Sequence, residues 1–164
     1  MWDPVLNEGT TPEFWPPKPS AFWSTVLSPV RLFYLHRTFG ITEVTVEGWN
    51  HAASRFSSGD GVLIAPNHSH DSDPHVMMDV SAQKRCPFHF MAAWQLFHEN
   101  GGIDGWMLQR MGAFSVDREG CDRRAIKQAV ELLTNACKLV VFPEGEVFHL
   151  NDRLTPLLEG VAFM

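Results

Sequence analysis

Short apolar runs bounded by turn residues predict β-strands throughout the chain after Gly40. Five such runs occur, at residues 43–48, 61–67, 87–93, 113–117 and 138–145. Between the last two, apolar residues recur at helical spacing and predict a helix with a buried face formed by Ala125, Ile126, Ala129, Val130, Leu133 and Ala136. Strands alternating with helices indicate a layered α/β fold, in which helices flank a mixed, largely parallel sheet.

The first 40 residues differ, because aromatic and apolar side chains recur there at helical spacing around Pro29. This stripe consists of Phe22, Trp23, Val26, Leu27, Val30, Phe33 and Tyr34. Two interpretations are open: the helix can lie in a membrane interface with aromatic anchors, or it can pack onto the domain as a core helix. We divide the chain into this N-terminal segment, residues 1–40, and a domain at residues 41–164.

Composition and charge narrow the class of protein. The chain has 164 residues, 45% of them hydrophobic and 20% charged, which is typical of one globular domain. Its net charge of −6 argues against nucleic-acid binding, because such domains usually carry a basic surplus. The three cysteines lack CxxC spacing, and no apolar stretch reaches the roughly 18 residues that span a bilayer. We expect a cytoplasmic protein without disulfides or transmembrane helices.

Polar residues suited to catalysis stand at the ends of three predicted strands. His68, Arg118 and Glu144 each lie at or just past the carboxyl end of a different strand. In a parallel α/β sheet these ends share one edge, where ligands usually bind. The sequence therefore predicts one shared site built from distant segments.

The richest of these segments, residues 67–75, contains three histidines and two aspartates, all competent metal ligands. The binuclear metallohydrolase pattern HxHxDH would need aspartate and histidine where the chain has Ser72 and Asp73. None of the later histidines stands in a recognisable ligand motif. A metal-dependent hydrolase using His68, His70 and Asp73 is thus one alternative.

A catalytic pair explains the spacing of this segment with fewer residues. Asp73 precedes Pro74, a residue suited to the first turn of a helix, so Asp73 is predicted to be the N-cap of a helix that follows. The loop before it can then fold His68 back onto Asp73. In that arrangement Asp73 orients the imidazole, and the other ring nitrogen can accept a proton from a substrate hydroxyl.

Three motifs in order resemble the successive blocks of the glycerolipid acyltransferase family, which includes lysophosphatidic acid acyltransferases. They are Asn67-His68 with Asp73, then Gly112-Ala113-Phe114 through Arg118, and then Phe142-Pro143-Glu144-Gly145. The resemblance covers the chain from about residue 40 to its end. It implies an O-acyltransferase at the cytosolic face of a membrane, moving a fatty acyl group from acyl-CoA or acyl carrier protein to glycerol phosphate or a lysophospholipid.

The resemblance also implies roles for individual residues. His68 would be the general base, oriented by Asp73, and Arg118 would bind the acceptor phosphate. Glu144 and Gly145 would bind the acceptor, and Asn67 would support the loop through backbone hydrogen bonds. No metal or cofactor is implied. The chain has no GxSxG elbow, in agreement with transfer without an acyl-enzyme.

The chain departs from the family pattern in two places, the third block and the C-terminus. Where the family continues its third block with threonine or serine and then arginine, the chain has Glu146 and Val147, and Arg153 is the candidate replacement cation. Family members also continue beyond the point where this chain ends, so we expect a domain that is incomplete at its C-terminus. An inactive lipid-binding homologue is a further alternative.

Overall fold

The computed structural model describes residues 12–147, 149 and 156–157. Within these residues, a long helix α1 comes first and is followed by four strands with helices between them. In chain order the elements are α1 (Ala21–Phe39), α2 (Trp49–Ser57), β1 (Val62–Ile64), α3 (Asp73–Gln83), β2 (Phe88–Ala93), 3-10 turns at Trp94–Phe97 and Glu99–Gly102, α4 (Ile103–Arg110), β3 (Ala113–Val116), α5 (Arg123–Thr134) and β4 (Lys138–Val140).

The four strands form one parallel sheet in the order β1-β4-β2-β3. In the central register Ile64 pairs with Val140, and Phe90 pairs with both Val140 and Ala113. The α/β fold with helices around a parallel sheet is confirmed. Because β4 lies between β1 and β2, the segments that follow β1 and β4 become neighbours.

The prediction of a strand at residues 43–48 is wrong, since this segment pairs with no strand in the described part of the chain. Its alternating pattern suits a half-buried strand, but a strand also needs a neighbour for its backbone groups. In this segment, a side chain bonds the backbone instead: the Gln83 amide donates to the Val44 carbonyl at 2.8 Å.

Helix α5 begins where the Asp122 carboxylate caps it, accepting hydrogen bonds from the backbone N–H groups of Arg124 and Ala125 at 3.0 and 3.1 Å. Its predicted face needs correction. Val130 is 40% exposed, whereas Leu132 is buried with Ala125 and Ala129. The buried stripe is therefore rotated slightly from the predicted one.

The sheet has a hydrophobic cluster on each face, because successive strand residues point to opposite sides. One cluster contains Met78, Phe88, Phe90, Phe97, Ala113 and Val140. The other contains Phe114, Ala125, Ala129, Leu132, Leu139 and Val141, and it joins α5 to the sheet. This rigid centre fixes the strand ends from which the polar loops emerge.

The face of α1 that packs on the domain lies opposite much of its apolar stripe. Arg31 and Leu35 are buried in the contact with the domain. The exposed large apolar side chains of α1 are Phe22, Val26, Val30, Leu32, Phe33 and Tyr34. Core packing therefore does not account for the stripe. None of the helices in the described residues combines the length and the hydrophobicity that spanning a bilayer requires.

Candidate active site

His68 and Asp73 meet in the loop between β1 and α3. His68 Nδ1 lies 3.3 Å from Asp73 Oδ2, and the same oxygen accepts the backbone N–H of His70 at 2.9 Å. The helix begins at Asp73 itself, with Ser72 as its N-cap residue, so the predicted cap position is wrong by one residue. A carboxylate in the first helical turn is favoured by the helix dipole.

This hydrogen bond selects one tautomer of His68. An ionised carboxylate can only accept, so Nδ1 must carry the hydrogen that Asp73 receives. In that neutral tautomer, Nε2 holds the lone pair and lies on the far side of the ring from the carboxylate. The His68 side chain is 14% exposed and that of Asp73 is 24% exposed. The pair is therefore sheltered but accessible, as a general base must be.

The segment after β4 holds His68 from two further sides. The Phe142 ring stacks on the imidazole, with centroids 4.1 Å apart and planes inclined by 25°. The buried Glu144 carboxylate accepts the backbone N–H of His68 through Oε1 at 3.1 Å. These contacts arise because β1 and β4 pair in parallel. The stacking role of Phe142 was missed, because nothing in the sequence shows which strand neighbours β1.

Arg118 and Gly145 meet at the same edge of the sheet. Arg118 Nη1 donates to the Gly145 carbonyl at 2.7 Å. Gly145 has a φ of 76°, a left-handed conformation that favours glycine. Arg118 is exposed, so the rest of its guanidinium faces solvent.

The structure thus brings together five of the predicted site residues, His68, Asp73, Arg118, Glu144 and Gly145. Asn67 is different: it is exposed, and its side chain forms no hydrogen bond with the described part of the chain, so the expected support of the loop is not seen there. Arg153 lies outside the described residues. Glu146 is exposed.

The other histidines of the loop have separate surroundings. His70 Nδ1 lies 2.8 Å from Ser72 Oγ, and its ring packs against Phe39. Burial, with a smaller effect of the Arg31 charge, lowers the pKa of His75 below its usual value of 6.5. Within the described ranges, no three histidine, cysteine, aspartate or glutamate side chains are grouped so that they could hold a metal ion. A ligand set for the metallohydrolase alternative is not found in that part.

A sequence model of the family described as Acyltransferase matches residues 43–164, about three quarters of the chain. The chain belongs to the Acyltransferase family. A curated relative, the 1-acyl-sn-glycerol-3-phosphate acyltransferase of Streptococcus pneumoniae (strain ATCC BAA-255 / R6), is 37% identical over 92 residues. That region covers 56% of this chain and 33% of the relative, so the chain aligns with about a third of the relative's length. No solved structure matches this member of the family significantly.

Proposed function

We propose that this member of the Acyltransferase family transfers a fatty acyl group from a thioester donor to a hydroxyl of a glycerol phosphate or lysophospholipid. The observation that carries the proposal is the His68–Asp73 pair, whose geometry leaves His68 Nε2 as a proton acceptor. The name of the curated relative supports the acceptor class. Acyl-CoA or acyl carrier protein would be the donor.

In the proposed reaction, His68 Nε2 takes the proton of the acceptor hydroxyl as its oxygen attacks the thioester carbonyl. The tetrahedral intermediate collapses, the C–S bond breaks, and the imidazolium returns the proton to the departing thiolate. Asp73 keeps the ring oriented and stabilises the imidazolium. No residue is acylated, and no metal or redox cofactor takes part.

The acceptor phosphate is proposed to bind Arg118. One guanidinium nitrogen is engaged by the Gly145 carbonyl, which fixes the group while its remaining N–H donors face solvent. Such donors suit bidentate contacts with phosphate. Asn67 and Arg153 are further proposed contacts for the acceptor. Glu144 would act mainly by holding the His68 backbone, given its burial and its hydrogen bond.

Attachment to the cytosolic face of a membrane through α1 is part of the proposal. The helix exposes an apolar stripe that includes Phe22, with 67% exposure, and Phe33, with 68%. Such a face, in a segment with basic flanks, is typical of helices that lie in a bilayer interface. Phe33→Ser should lower the fraction of the protein that sediments with lipid vesicles. Unchanged sedimentation of this variant would contradict anchoring by α1.

Acceptor-dependent thiol release tests the chemistry. With acyl-CoA and a panel of glycerol phosphate and lysophospholipid acceptors, the chain should release free thiol. His68→Ala should lower the rate by about 10² to 10⁴, the usual contribution of a positioned base. His51→Ala is the matched control, because His51 is exposed on α2, outside the site. A chain that binds lipid but releases no thiol with any acceptor would instead be an inactive homologue.

A further inference from the structure

Helix α4 carries an exposed apolar face of its own. Ile103 is 60% exposed and Trp106 is 36% exposed. They lie three positions apart, so they share one side of the helix. Arg110, one turn farther on, places its guanidinium 5.6 Å from the centre of the Trp106 ring. Apolar and aromatic side chains followed by a cation form a pattern suited to the boundary between lipid tails and headgroups.

This face is continuous with the exposed stripe of α1. The Trp106 and Trp23 rings meet edge to face, with centroids 4.9 Å apart, and Trp23 in turn contacts Phe22 at 5.3 Å. The backbone N–H of Ser20 also donates to the Arg110 carbonyl at 3.0 Å. The start of α1 and the end of α4 are therefore fixed to each other.

The charges around the combined surface favour an anionic lipid over a second copy of the chain. Residues 14–42 contain no aspartate or glutamate, whereas Lys18 and Arg37 are exposed at the two ends of the segment. The acidic group of α4, Asp104, accepts a hydrogen bond from the Asn100 amide at 2.6 Å. A symmetric contact between two copies would bring like charges together, but an anionic headgroup layer attracts them.

We propose that α4 is a second lipid-binding element, in which Ile103 and Trp106 enter the interface beside α1 and Arg110 binds lipid phosphate. The proposal rests on the proposed membrane attachment of α1 and extends it. A single interfacial helix can roll about its axis, whereas two fixed helices define a plane. That plane sets the orientation of the sheet edge carrying His68 relative to the bilayer.

Vesicle sedimentation of the full chain tests the role of α4. The partition coefficients of the parent, Ile103→Asn and Val130→Asn are measured on phosphatidylcholine vesicles with and without phosphatidylglycerol. Val130 is the matched control, because it is an exposed apolar residue on α5, 40% accessible. Ile103→Asn should lower the partition coefficient by about fivefold to twentyfold, since most of one aliphatic side chain loses its apolar surroundings. Val130→Asn should leave it unchanged.

Other outcomes separate this proposal from the one on which it rests. Binding that weakens in Phe33→Ser but not in Ile103→Asn overturns the role of α4 and keeps the α1 anchor. Binding unaffected in both variants overturns both. Sedimentation velocity without lipid tests whether a second copy of the chain covers the exposed face of α4. If the parent is a dimer and Ile103→Asn is a monomer, a second copy covers this face and the proposal is overturned. Circular dichroism confirms that each variant is folded.

Discussion

At the scale of single residues, the candidate base is held by three contacts that use different parts of His68. Asp73 binds Nδ1, Glu144 binds the backbone N–H, and Phe142 covers one ring face. The Asp73 contact restricts rotation of the ring, the Glu144 contact restricts displacement of the loop, and the Phe142 contact restricts tilting of the imidazole. None of these three contacts is made by Nε2. This directed constraint distinguishes His68 from His70 of the same loop, whose Nδ1 contacts a hydroxyl.

Asp73→Asn should lower kcat by about 10²-fold or more, because an amide neither selects the Nδ1–H tautomer nor stabilises the imidazolium. Asp71→Asn is the matched control: Asp71 is exposed in the same loop, and its substitution should leave kcat unchanged. Thiol release at saturating acceptor measures both. A rate for Asp73→Asn within twofold of the parent would contradict an orienting role for this carboxylate.

At the scale of elements, a buried ion pair connects α1 to α3, the helix that begins at Asp73. Arg31 Nη1 lies 2.9 Å from Asp79 Oδ1, and the two side chains are only 7% and 10% exposed. The Gln83 amide donates to the other oxygen of Asp79 at 2.8 Å. Because the pair is removed from water, its two charges depend on each other. The exposed helix is thereby joined to the element that carries the site.

Arg31→Met should destabilise the protein by about 3–5 kcal/mol, the usual cost of leaving one member of a buried ion pair without its partner. The double variant Arg31→Met/Asp79→Leu should recover much of this loss, because neither charge is then buried. Urea unfolding followed by circular dichroism measures both. If the double variant is less stable than Arg31→Met alone, the isolated carboxylate is not the source of the cost.

At the scale of the whole molecule, two histidines are packed where protonation is disfavoured. Burial lowers the pKa of His75, with a smaller effect from Arg31. Burial also lowers the pKa of His89, and the neighbouring Lys138 backbone has a smaller, opposite effect. His75 lies in α3, in contact with the Tyr34 ring of α1, whereas His89 lies in β2. Stability of the fold is therefore linked to pH in two separate regions.

Acidification should destabilise the protein, starting near pH 6.5. Below that pH the unfolded chain binds protons at both positions, whereas the folded chain binds them only at lower pH. Each histidine can contribute at most about 1.4 kcal/mol per pH unit. Urea midpoints measured between pH 7.5 and 5.0 should fall, with a smaller slope in His75→Gln. An unchanged slope in His75→Gln, equal to that in the exposed control His51→Gln, would contradict this origin.

Local patterns in the sequence correctly predicted the features that depend on residues close together in the chain. Four of the five predicted strands and helix α5 formed, because periodicity and turn residues act within a few positions. The approach of His68 to Asp73 belongs to this class, since a short loop and an Asp-Pro helix start are enough to produce it. The three ordered motifs likewise indicated the family.

Contacts between distant segments follow from the order of the strands in the sheet and from the packing of the helices on it. Placing β4 beside β1 brought Phe142 and Glu144 onto His68, across a separation of 76 residues between His68 and Glu144. In the described part of the chain, the same packing left residues 43–48 without a strand partner and left much of the apolar stripe of α1 exposed. Neighbour relations of this kind depend on how whole layers bury their apolar faces, and a local pattern in the sequence does not contain that information.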